Sequence, residues 1–310
     1  MNNVQVFSGG GAKGLLQVAC LAAMEESGFD FRDAVLCAGA SVGGINATIL
    51  SLKDWTPAKL FEKYPGMVDQ IFMHHLWPLV PIYDRKNFIN CWSTILPVSK
   101  KFKDCMVPTL VTSVDAMTDI THFFKSWEYA DGEEIALSVV MRSFAAPVYF
   151  NQLVDQSAQK VWYDGGCGAY NLPIDFAWEE ILPRVMTGEK FSIYAFGTGY
   201  SNDTISFKNA ANDGFLKQFG RFTELGRGGM SRVQSRLDQV RKMIRRAVKI
   251  PSVSFYYYDI EIPKSLDKMD DIKDKQAYID LGRKMAKAPL IKVENGIISS
   301  SCDMVKEGLS

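Results

Sequence analysis

The sequence predicts an α/β protein in which helices cover a largely parallel sheet. Strand-like apolar runs alternate with helical patterns through the first half of the chain, at residues 4–8, 15–27, 34–38 and 42–52, and such alternation is typical of parallel sheets. Glycine-rich turns join each of these strands to the helix that follows it. With 310 residues, 47% of them hydrophobic, the chain can bury a large core, and we expect a single domain over residues 1–310.

The remaining strands and helices are predicted from short apolar runs and from apolar residues at helical spacing, respectively. Short apolar runs predict further strands at residues 108–114, 121–124, 161–163, 191–196 and 253–258. Helical spacing of apolar residues predicts helices at residues 57–63, 84–95, 133–142, 175–181, 232–248 and 276–287. An aromatic and proline-rich stretch at residues 67–83 has no clean period. We interpret it as a buried connector, with a lid as the alternative.

The charge balance argues against nucleic acid as a partner. The chain carries 35 basic and 35 acidic residues, so no global attraction to nucleic acid or to an anionic membrane is expected. No apolar run reaches the roughly 18 residues of a membrane span. The N-terminus has no basic region and leads from a strand-like run directly into a glycine loop, unlike a signal peptide. We therefore expect a cytoplasmic protein.

Cysteine and histidine spacing indicates neither a metal site nor a disulfide framework. No CxxC pair and no HExxH motif occurs, and adjacent His74 and His75 cannot point the same way on a helix or a strand. Several cysteines lie in apolar contexts, so we expect reduced thiols in the core. The cysteines are Cys20, Cys37, Cys91, Cys105, Cys167 and Cys302.

The turn Gly39-Ala40-Ser41-Val42-Gly43 has the GxSxG pattern of a nucleophilic serine. Small residues on both sides of Ser41 permit a sharp turn that projects the hydroxyl oxygen. The apolar run before the turn and the helical pattern after it are the context that this motif requires. An ordinary tight turn could contain the same glycines. If Ser41 is a nucleophile, the backbone N–H of Val42 can face the oxyanion.

A second glycine turn, Gly9-Gly10-Gly11, lies between the first strand and the first helix. Glycines expose backbone N–H groups without interference from Cβ atoms, and a helix N-terminus favours negative charge. Acyl transfer places negative charge on the former carbonyl oxygen, which such donors stabilise. We predict that this loop, with Gly14 closing the motif, forms an oxyanion hole in which Gly10 and Gly11 are the first choices. Alone, the loop could instead cradle a phosphate.

The positions of the histidines limit the base that a serine nucleophile could use. All three, His74, His75 and His122, precede Asp164 in the chain. A triad in the order serine, acid, histidine is therefore impossible with Asp164 as its acid. If Asp164 is catalytic, it must accept the proton of Ser41 directly. A strand-like run ends at Asp164, and Gly165 and Gly166 follow it. The alternative is an ordinary turn, because Asp-Gly pairs are common turn formers.

These three motifs, in this order, resemble those of the patatin-like phospholipase family. The resemblance covers about residues 4–200. Three further segments support it: Arg142-Ser143-Phe144-Ala145-Ala146-Pro147, Asn171-Leu172-Pro173 and Phe196-Gly197-Thr198-Gly199. The resemblance implies a three-layer α/β/α fold and a lipid acyl hydrolase that meets membranes transiently, with Ser41 as nucleophile, Asp164 as general base and no cofactor. Tyr170 departs from the pattern, because family members often have an asparagine there.

Two other interpretations use the same residues. Gly9, Gly11 and Gly14 also match the dinucleotide-binding fingerprint GxGxxG, with Asp33 about 20 residues further on. That interpretation predicts a nucleotide-binding module or an oxidoreductase. It leaves Ser41 unexplained, and a ribose-binding acid should end the second strand, whereas Asp33 precedes it. The other interpretation keeps the fold without catalysis, as in a storage or interaction protein, and the intact motifs argue against it.

Several basic residues outside the motifs have no assigned role. We interpret Lys13 as a brace that pairs with a carboxylate, because a lysine in the first turn of a helix is otherwise disfavoured; binding an anionic head group is the alternative. Residues 201–250 contain no family motif. Within them, residues 221–249 combine cations with apolar residues at helical spacing. Such a helix could present a solvated basic face above the core, lie on an anionic bilayer or bind a regulator.

Overall fold

A mixed sheet of ten strands forms the centre of the part of the protein that the computed structural model describes. The described residues are 1–73, 82–129, 134–147, 149–150, 153–201, 229–267, 270 and 273–300. In chain order the strands are β1 (Asn2–Phe7), β2 (Ala34–Ala40), β3 (Thr109–Asp115), β4 (Ile120–Lys125), β5 (Leu153–Asp155), β6 (Lys160–Asp164), β7 (Phe191–Phe196), β8 (Val253–Tyr258), β9 (Ile291–Glu294) and β10 (Ile297–Ser300).

The middle of the sheet is parallel and its edges are antiparallel. The strand order is β10-β9-β8-β7-β1-β2-β3-β6-β5, and β4 also pairs with β3. Strands β8, β7, β1, β2 and β3 are parallel to one another. The strands outside this set pair antiparallel with their neighbours. Because parallel neighbours need crossover connections, helices separate the central strands along the chain.

Helices cover both faces of this sheet. They are α1 (Gly14–Glu26), α2 (Val42–Leu52), α3 (Pro57–Ile71), α4 (Arg85–Trp92), α5 (Ala136–Ser143), α6 (Ile174–Met186), α7 (Gly229–Lys249) and α8 (Lys275–Met285). Strand side chains alternate between two hydrophobic clusters, as the period of two requires. Val4 and Val6 of β1 pack in the cluster that contains residues of α6 and α7, whereas Phe7 packs in the cluster with α1 to α4 and α8. The result is three layers.

The predicted fold class, a three-layer α/β/α fold with a mostly parallel central sheet, is confirmed. Every strand predicted from the sequence is present, and the short edge strands β5, β9 and β10 are additional. Helices α3 and α6 extend well beyond their predicted ends, because α3 continues through Pro65 and α6 through Pro183. Assignment of the whole chain to one domain stays a prediction. Among the described helices, none has the length and the apolar run that a bilayer crossing needs.

The aromatic stretch at residues 67–83 is described only in part. Met67, Ile71 and Phe72 are buried, which agrees with a buried connector at this end of the stretch. Met73 is 61% exposed. His74 and His75 lie outside the described residues.

Candidate active site

The ends of strands β2 and β6 bring Ser41 and Asp164 together. Strand β4 occupies one edge of β3 along residues 110–115, so β2 and β6 share the other edge. Ala40, the last residue of β2, lies opposite Thr112, and Asp164 lies opposite Ser113. Because β2 is parallel and β6 antiparallel to β3, their carboxyl ends point at each other. Residues 123 positions apart in the sequence therefore become neighbours.

Ser41 and Asp164 form a buried hydrogen-bonded pair. Ser41 Oγ donates to Asp164 Oδ2 at 2.7 Å, and both residues are 1% exposed. The other carboxylate oxygen, Asp164 Oδ1, accepts the backbone N–H of Gly166 at 2.8 Å. This second contact fixes the plane of the carboxylate and leaves Oδ2 directed at the serine hydroxyl. A hydroxyl and a base within hydrogen-bond reach meet the geometric requirement for an activated nucleophile.

Close packing of the backbone around Ser41 explains the glycines two residues before and two residues after it. Ser41 has φ 54° and ψ −128° at the start of α2. Residues that carry a side chain rarely adopt a positive φ of this kind. A Cβ atom at Gly39 would lie 2.2 Å from the carbonyl oxygen of Gly43, and one at Gly43 would lie 2.3 Å from that of Phe7. The turn thus packs backbone against backbone, which only glycine permits. Ser143 at the end of α5 holds it by accepting the Ser41 N–H at 2.7 Å.

The glycine loop follows β1 and leads through a short 3-10 turn into α1. Gly11 has φ 59°, in the left-handed region that favours glycine. Within the described residues, the backbone N–H groups of Gly10, Gly11 and Val42 have no hydrogen-bond acceptor. The N–H of Gly9 differs, because it donates to the carbonyl oxygen of Asn171 at 3.0 Å. Gly9 therefore anchors the loop, and its amide is already occupied.

The remaining motif glycines keep the parts of the site close together. A Cβ atom at Gly165 would lie 2.2 Å from the carbonyl oxygen of Thr112, and one at Gly166 would lie 2.6 Å from Asn171 Oδ1. At Gly14 it would lie 2.4 Å from Tyr64 Oη. Each glycine thus permits a contact that a larger residue would block.

Lys13 braces the glycine loop, in agreement with our interpretation of the sequence. Its Nζ lies 2.7 Å from Asp267 Oδ1, and its side chain is 10% exposed. Burial lowers the pKa of Lys13, whereas the adjacent Asp267 carboxylate opposes that shift. This ion pair fixes the 3-10 turn to the segment that precedes α8.

Two adjoining apolar cavities lie beside the pair. One is lined by Ser41 and Asp164 together with Gly11 and the aromatic residues Phe72, Phe144, Tyr149 and Phe150. The other extends from Gly11 and Val42 between α2, α3 and α4, and Phe72 and Phe144 line it as well. Each cavity is about large enough for one water molecule. The space beside Ser41 and Asp164 is therefore narrow, and its lining is largely apolar.

Other groups that the sequence singled out lie elsewhere. His122 on β4 contacts Asp115, Lys160 and Trp162. Tyr170, the departure from the family pattern, packs its ring against two phenylalanines, Phe123 and Phe176. Among the described residues, no group of histidine, cysteine and acidic side chains could hold a metal ion.

The dinucleotide interpretation does not fit the sheet. Asp33 immediately precedes β2 and accepts a hydrogen bond from Asn3 at the start of β1. The glycine loop lies beyond the opposite end of β1. At about 3.3 Å per residue, the two features are separated by roughly 20 Å of strand. Asp33 and the glycine loop thus lie at opposite ends of the strands, so Asp33 cannot bind the ribose of a nucleotide whose phosphates contact the loop.

Three polar residues that sequence reasoning did not assign also shape the site. Ser143 holds the serine turn, and Asn171 and Thr198 both donate to the carbonyl oxygen of Gly9, at 3.4 Å and 3.0 Å. All three belong to segments that supported the family resemblance, which was the available signal. Their partners became evident only from packing.

Comparison with known proteins assigns the family. The family model described as patatin-like phospholipase matches residues 6–178, more than half of the chain. No curated protein matches significantly. Among solved structures, VipD from Legionella pneumophila is similar, with 13% identity, a TM-score of 0.39, and coverage of 92% of this chain and 66% of that one. The chain thus spans just under two thirds of VipD. The glycine loop, Ser41 and Asp164 all lie inside the matched residues, and the chain belongs to the patatin-like phospholipase family.

Proposed function

We propose that this protein is a lipid acyl hydrolase that cleaves carboxylic ester bonds through an acyl-serine intermediate. The observation that carries the proposal is the 2.7 Å hydrogen bond from Ser41 Oγ to Asp164 Oδ2 beside an apolar cavity. Membership of the patatin-like phospholipase family supports it independently. Ser41 is the nucleophile in this proposal and Asp164 is the general base.

In the acylation step, Ser41 Oγ attacks the ester carbonyl carbon while Asp164 Oδ2 accepts the hydroxyl proton. Negative charge develops on the carbonyl oxygen, where the N–H groups of Gly10, Gly11 and Val42 stabilise it. One such donor contributes about 3–4 kcal/mol to transition-state stabilisation. The ester C–O bond then breaks, and Asp164 returns its proton to the departing alcohol or lysolipid.

In the deacylation step, Asp164 takes a proton from water and the resulting hydroxide attacks the acyl carbon. The bond to Ser41 Oγ breaks, the serine recovers a proton from Asp164, and a fatty acid leaves. The Gly166 N–H holds the second carboxylate oxygen, so Oδ2 stays available for both proton transfers. These steps require no metal ion or organic cofactor.

The acyl chain of the substrate would occupy the two apolar cavities. Both open onto Gly11, at the centre of the glycine loop, and one contains Ser41. Each is small, so a lipid acyl chain must widen them. Phe72 and Phe144 line both cavities, with ring centroids 6.5 Å apart. Displacement of Phe72 would join the two cavities into one apolar channel that accepts a longer chain.

We further propose that the enzyme reaches its substrate at a membrane surface, transiently and from the cytoplasm. The basic helix α7 contributes less to this than its sequence suggests. Val240, Met243 and Ile244 are buried, and Lys242 and Arg246 pair with Asp175 of α6 at 3.0 Å and 2.6 Å. Two cations of α7 are thus paired within the molecule, and Arg221 and Arg227 lie outside the described residues.

Hydrolysis of lipid vesicles tests the proposed activity. Purified protein is incubated with phosphatidylcholine vesicles, with and without phosphatidylserine, and free fatty acid and lysolipid are measured by mass spectrometry. We expect both products from the wild type and from Ser27→Ala, an exposed serine at the end of α1, and neither product from Ser41→Ala. Turnover by Ser41→Ala would exclude an acyl-Ser41 intermediate. Absence of hydrolysis by the wild type on these and on short-chain esters would favour an interaction protein.

A further inference from the structure

Thr198, Arg236 and Asp259 form a buried polar cluster that contacts the glycine loop. All three residues lie outside the residues that the family model matches. Arg236 of α7 has a side chain only 5% exposed, and its neighbour Asp259, which follows β8, has one that is 1% exposed. Thr198, two residues after β7, lies between Arg236 and the loop. A fully buried guanidinium is uncommon, because leaving water costs several kcal/mol unless partners compensate.

Both terminal nitrogens of Arg236 have partners close to Thr198. Its Nη2 donates to the carbonyl oxygen of Gly199 at 3.0 Å, and its Nη1 donates to Thr198 Oγ1 at 3.4 Å. Asp259 Oδ2 is 3.8 Å from the same Nη1. Asp259 in turn accepts the Gly199 N–H at 2.8 Å. Arg236 and Asp259 therefore hold both polar groups of the Gly199 backbone and so fix the position of Thr198.

Arg236 Nη1 and Ser8 Oγ both donate to Thr198 Oγ1, each at 3.4 Å, and so direct the Thr198 hydroxyl proton elsewhere. A guanidinium can only donate hydrogen bonds, so Thr198 Oγ1 must accept from it. The single proton of Thr198 is then free for the carbonyl oxygen of Gly9, 3.0 Å away. The Thr198 side chain also packs directly against Gly10, because a Cβ atom at Gly10 would lie 2.4 Å from Thr198 Oγ1. The Gly9 carbonyl and the Gly10 N–H belong to one peptide group, so the hydrogen bond from Thr198 to Gly9 also orients the Gly10 N–H.

We propose that Thr198 and Arg236 are positioning residues that hold the glycine loop with its free N–H groups turned toward the reacting carbonyl. The inference rests on the proposed function for its effect on catalysis, but not for its effect on the loop. It gives the helical segment beyond the family motifs a role in the site. Neither residue touches substrate, so their loss lowers kcat and leaves KM nearly unchanged.

Thr198 variants provide the direct test. Thr198→Val keeps the shape and removes the hydroxyl, whereas Thr198→Ser keeps the hydroxyl. Steady-state hydrolysis of a soluble short-chain ester is measured together with hydrogen–deuterium exchange of the peptide that contains residues 8–14. We expect Thr198→Val to lower kcat by about tenfold or more, since small misplacements of catalytic groups are costly, and to increase exchange in the loop. Thr198→Ser should stay within about threefold of the wild type.

Substitutions in α7 separate loop positioning from general packing. Arg236→Met should repeat the effects of Thr198→Val, and the double variant should be no worse than either single one, because both act through one contact. Arg236→Lys provides a folded alternative if the unpaired Asp259 destabilises Arg236→Met. Asp175→Asn weakens another attachment of the same helix, to Lys242 and Arg246. It should lower the melting temperature without changing loop exchange or kcat.

The outcomes distinguish this inference from the proposed function. Unchanged loop exchange in Thr198→Val, or the same loss in Thr198→Ser, would overturn the positioning role. Equal effects of Asp175→Asn and Arg236→Met would also overturn it, by assigning the loss to helix packing. Increased loop exchange together with a wild type that hydrolyses no ester would leave the positioning role supported and refute the proposed function.

Discussion

The side chain of Ser143 holds the backbone of Ser41: Ser143 Oγ accepts the Ser41 N–H at 2.7 Å. This hydrogen bond links the end of α5 to the turn whose serine has a left-handed φ of 54°. Such a conformation persists only where its surroundings hold it. Ser143 is also packed 3.0 Å from where a Cβ atom of Gly44 would lie, so α5 supports the turn on two sides.

Replacing Ser143 with alanine should therefore weaken both the fold and the turn. The buried N–H of Ser41 would lose its partner, which costs about 1–3 kcal/mol of unfolding free energy. We expect kcat for ester hydrolysis to fall, because Ser41 Oγ would no longer be held against Asp164. Ser138→Ala, on the same helix, is the matched control for thermal unfolding and kinetics. Wild-type kinetics in Ser143→Ala would show that the turn holds its own shape.

A methyl group at Gly39 should prevent the turn from forming. It would meet the carbonyl oxygen of Gly43 at 2.2 Å, and backbone cannot move aside without displacing α2. We expect Gly39→Ala to lose about 3 kcal/mol or more of unfolding free energy. Gly66→Ala is the control, because Gly66 lies in α3 with no atom within 4 Å of its Cβ position, and alanine there should add up to about 1 kcal/mol. Similar denaturant midpoints for the two variants would contradict this account.

Truncation of Phe72 should change the preferred acyl chain length. Phe72→Ala removes a wall common to both cavities. We expect the ratio of kcat/KM for a twelve-carbon ester to that for a four-carbon ester to rise by about tenfold or more. Phe102→Ala, in a separate cluster of the core, should lower stability without changing this ratio. A ratio that changes equally in both variants would mean that the cavities do not select the chain.

Buried thiols should be unreactive in the native protein. Desolvation raises the pKa of the buried Cys37 and of the half-buried Cys105 to about 12 in each case, and only the thiolate form is nucleophilic. At pH 8 we expect mass spectrometry to find both thiols nearly unlabelled by iodoacetamide, and labelling to increase as the pH rises toward that pKa. In urea, where a thiol pKa of about 8.5 applies, both should react. Equally fast native and unfolded labelling would refute the predicted burial.

The sequence predicts the local parts of this protein well. The glycine loop and the GxSxG turn need only the residues on either side of them, because glycines at fixed spacing impose the turn. The central strands also follow, since buried parallel strands are continuous apolar runs. Helix ends were less predictable, as α3 and α6 each accommodate an internal proline. Strands β5, β9 and β10 are only three or four residues long, too short for a periodic signal.

Long-range relationships required the structure. The order of the histidines and the family resemblance pointed to Asp164, but its distance from Ser41 depends on β2 and β6 sharing one edge of β3. The role of Arg236 was not predictable, because an arginine in a basic amphipathic pattern looks like a solvated cation. Its burial arises from the packing of α7 on the sheet, which turns Arg236 inward and leaves Lys242 and Arg245 exposed.

The most direct test of the Ser41 and Asp164 pair is the rate at which a fluorophosphonate modifies Ser41 in Asp164→Asn, with the adduct mapped by mass spectrometry. The asparagine keeps the size of the side chain but accepts no proton. We predict modification at Ser41 in the wild type and a rate at least about a hundredfold lower in Asp164→Asn, while Asp175→Asn labels at the wild-type rate. Wild-type labelling of Ser41 in folded Asp164→Asn would contradict the proposal that Asp164 is the base.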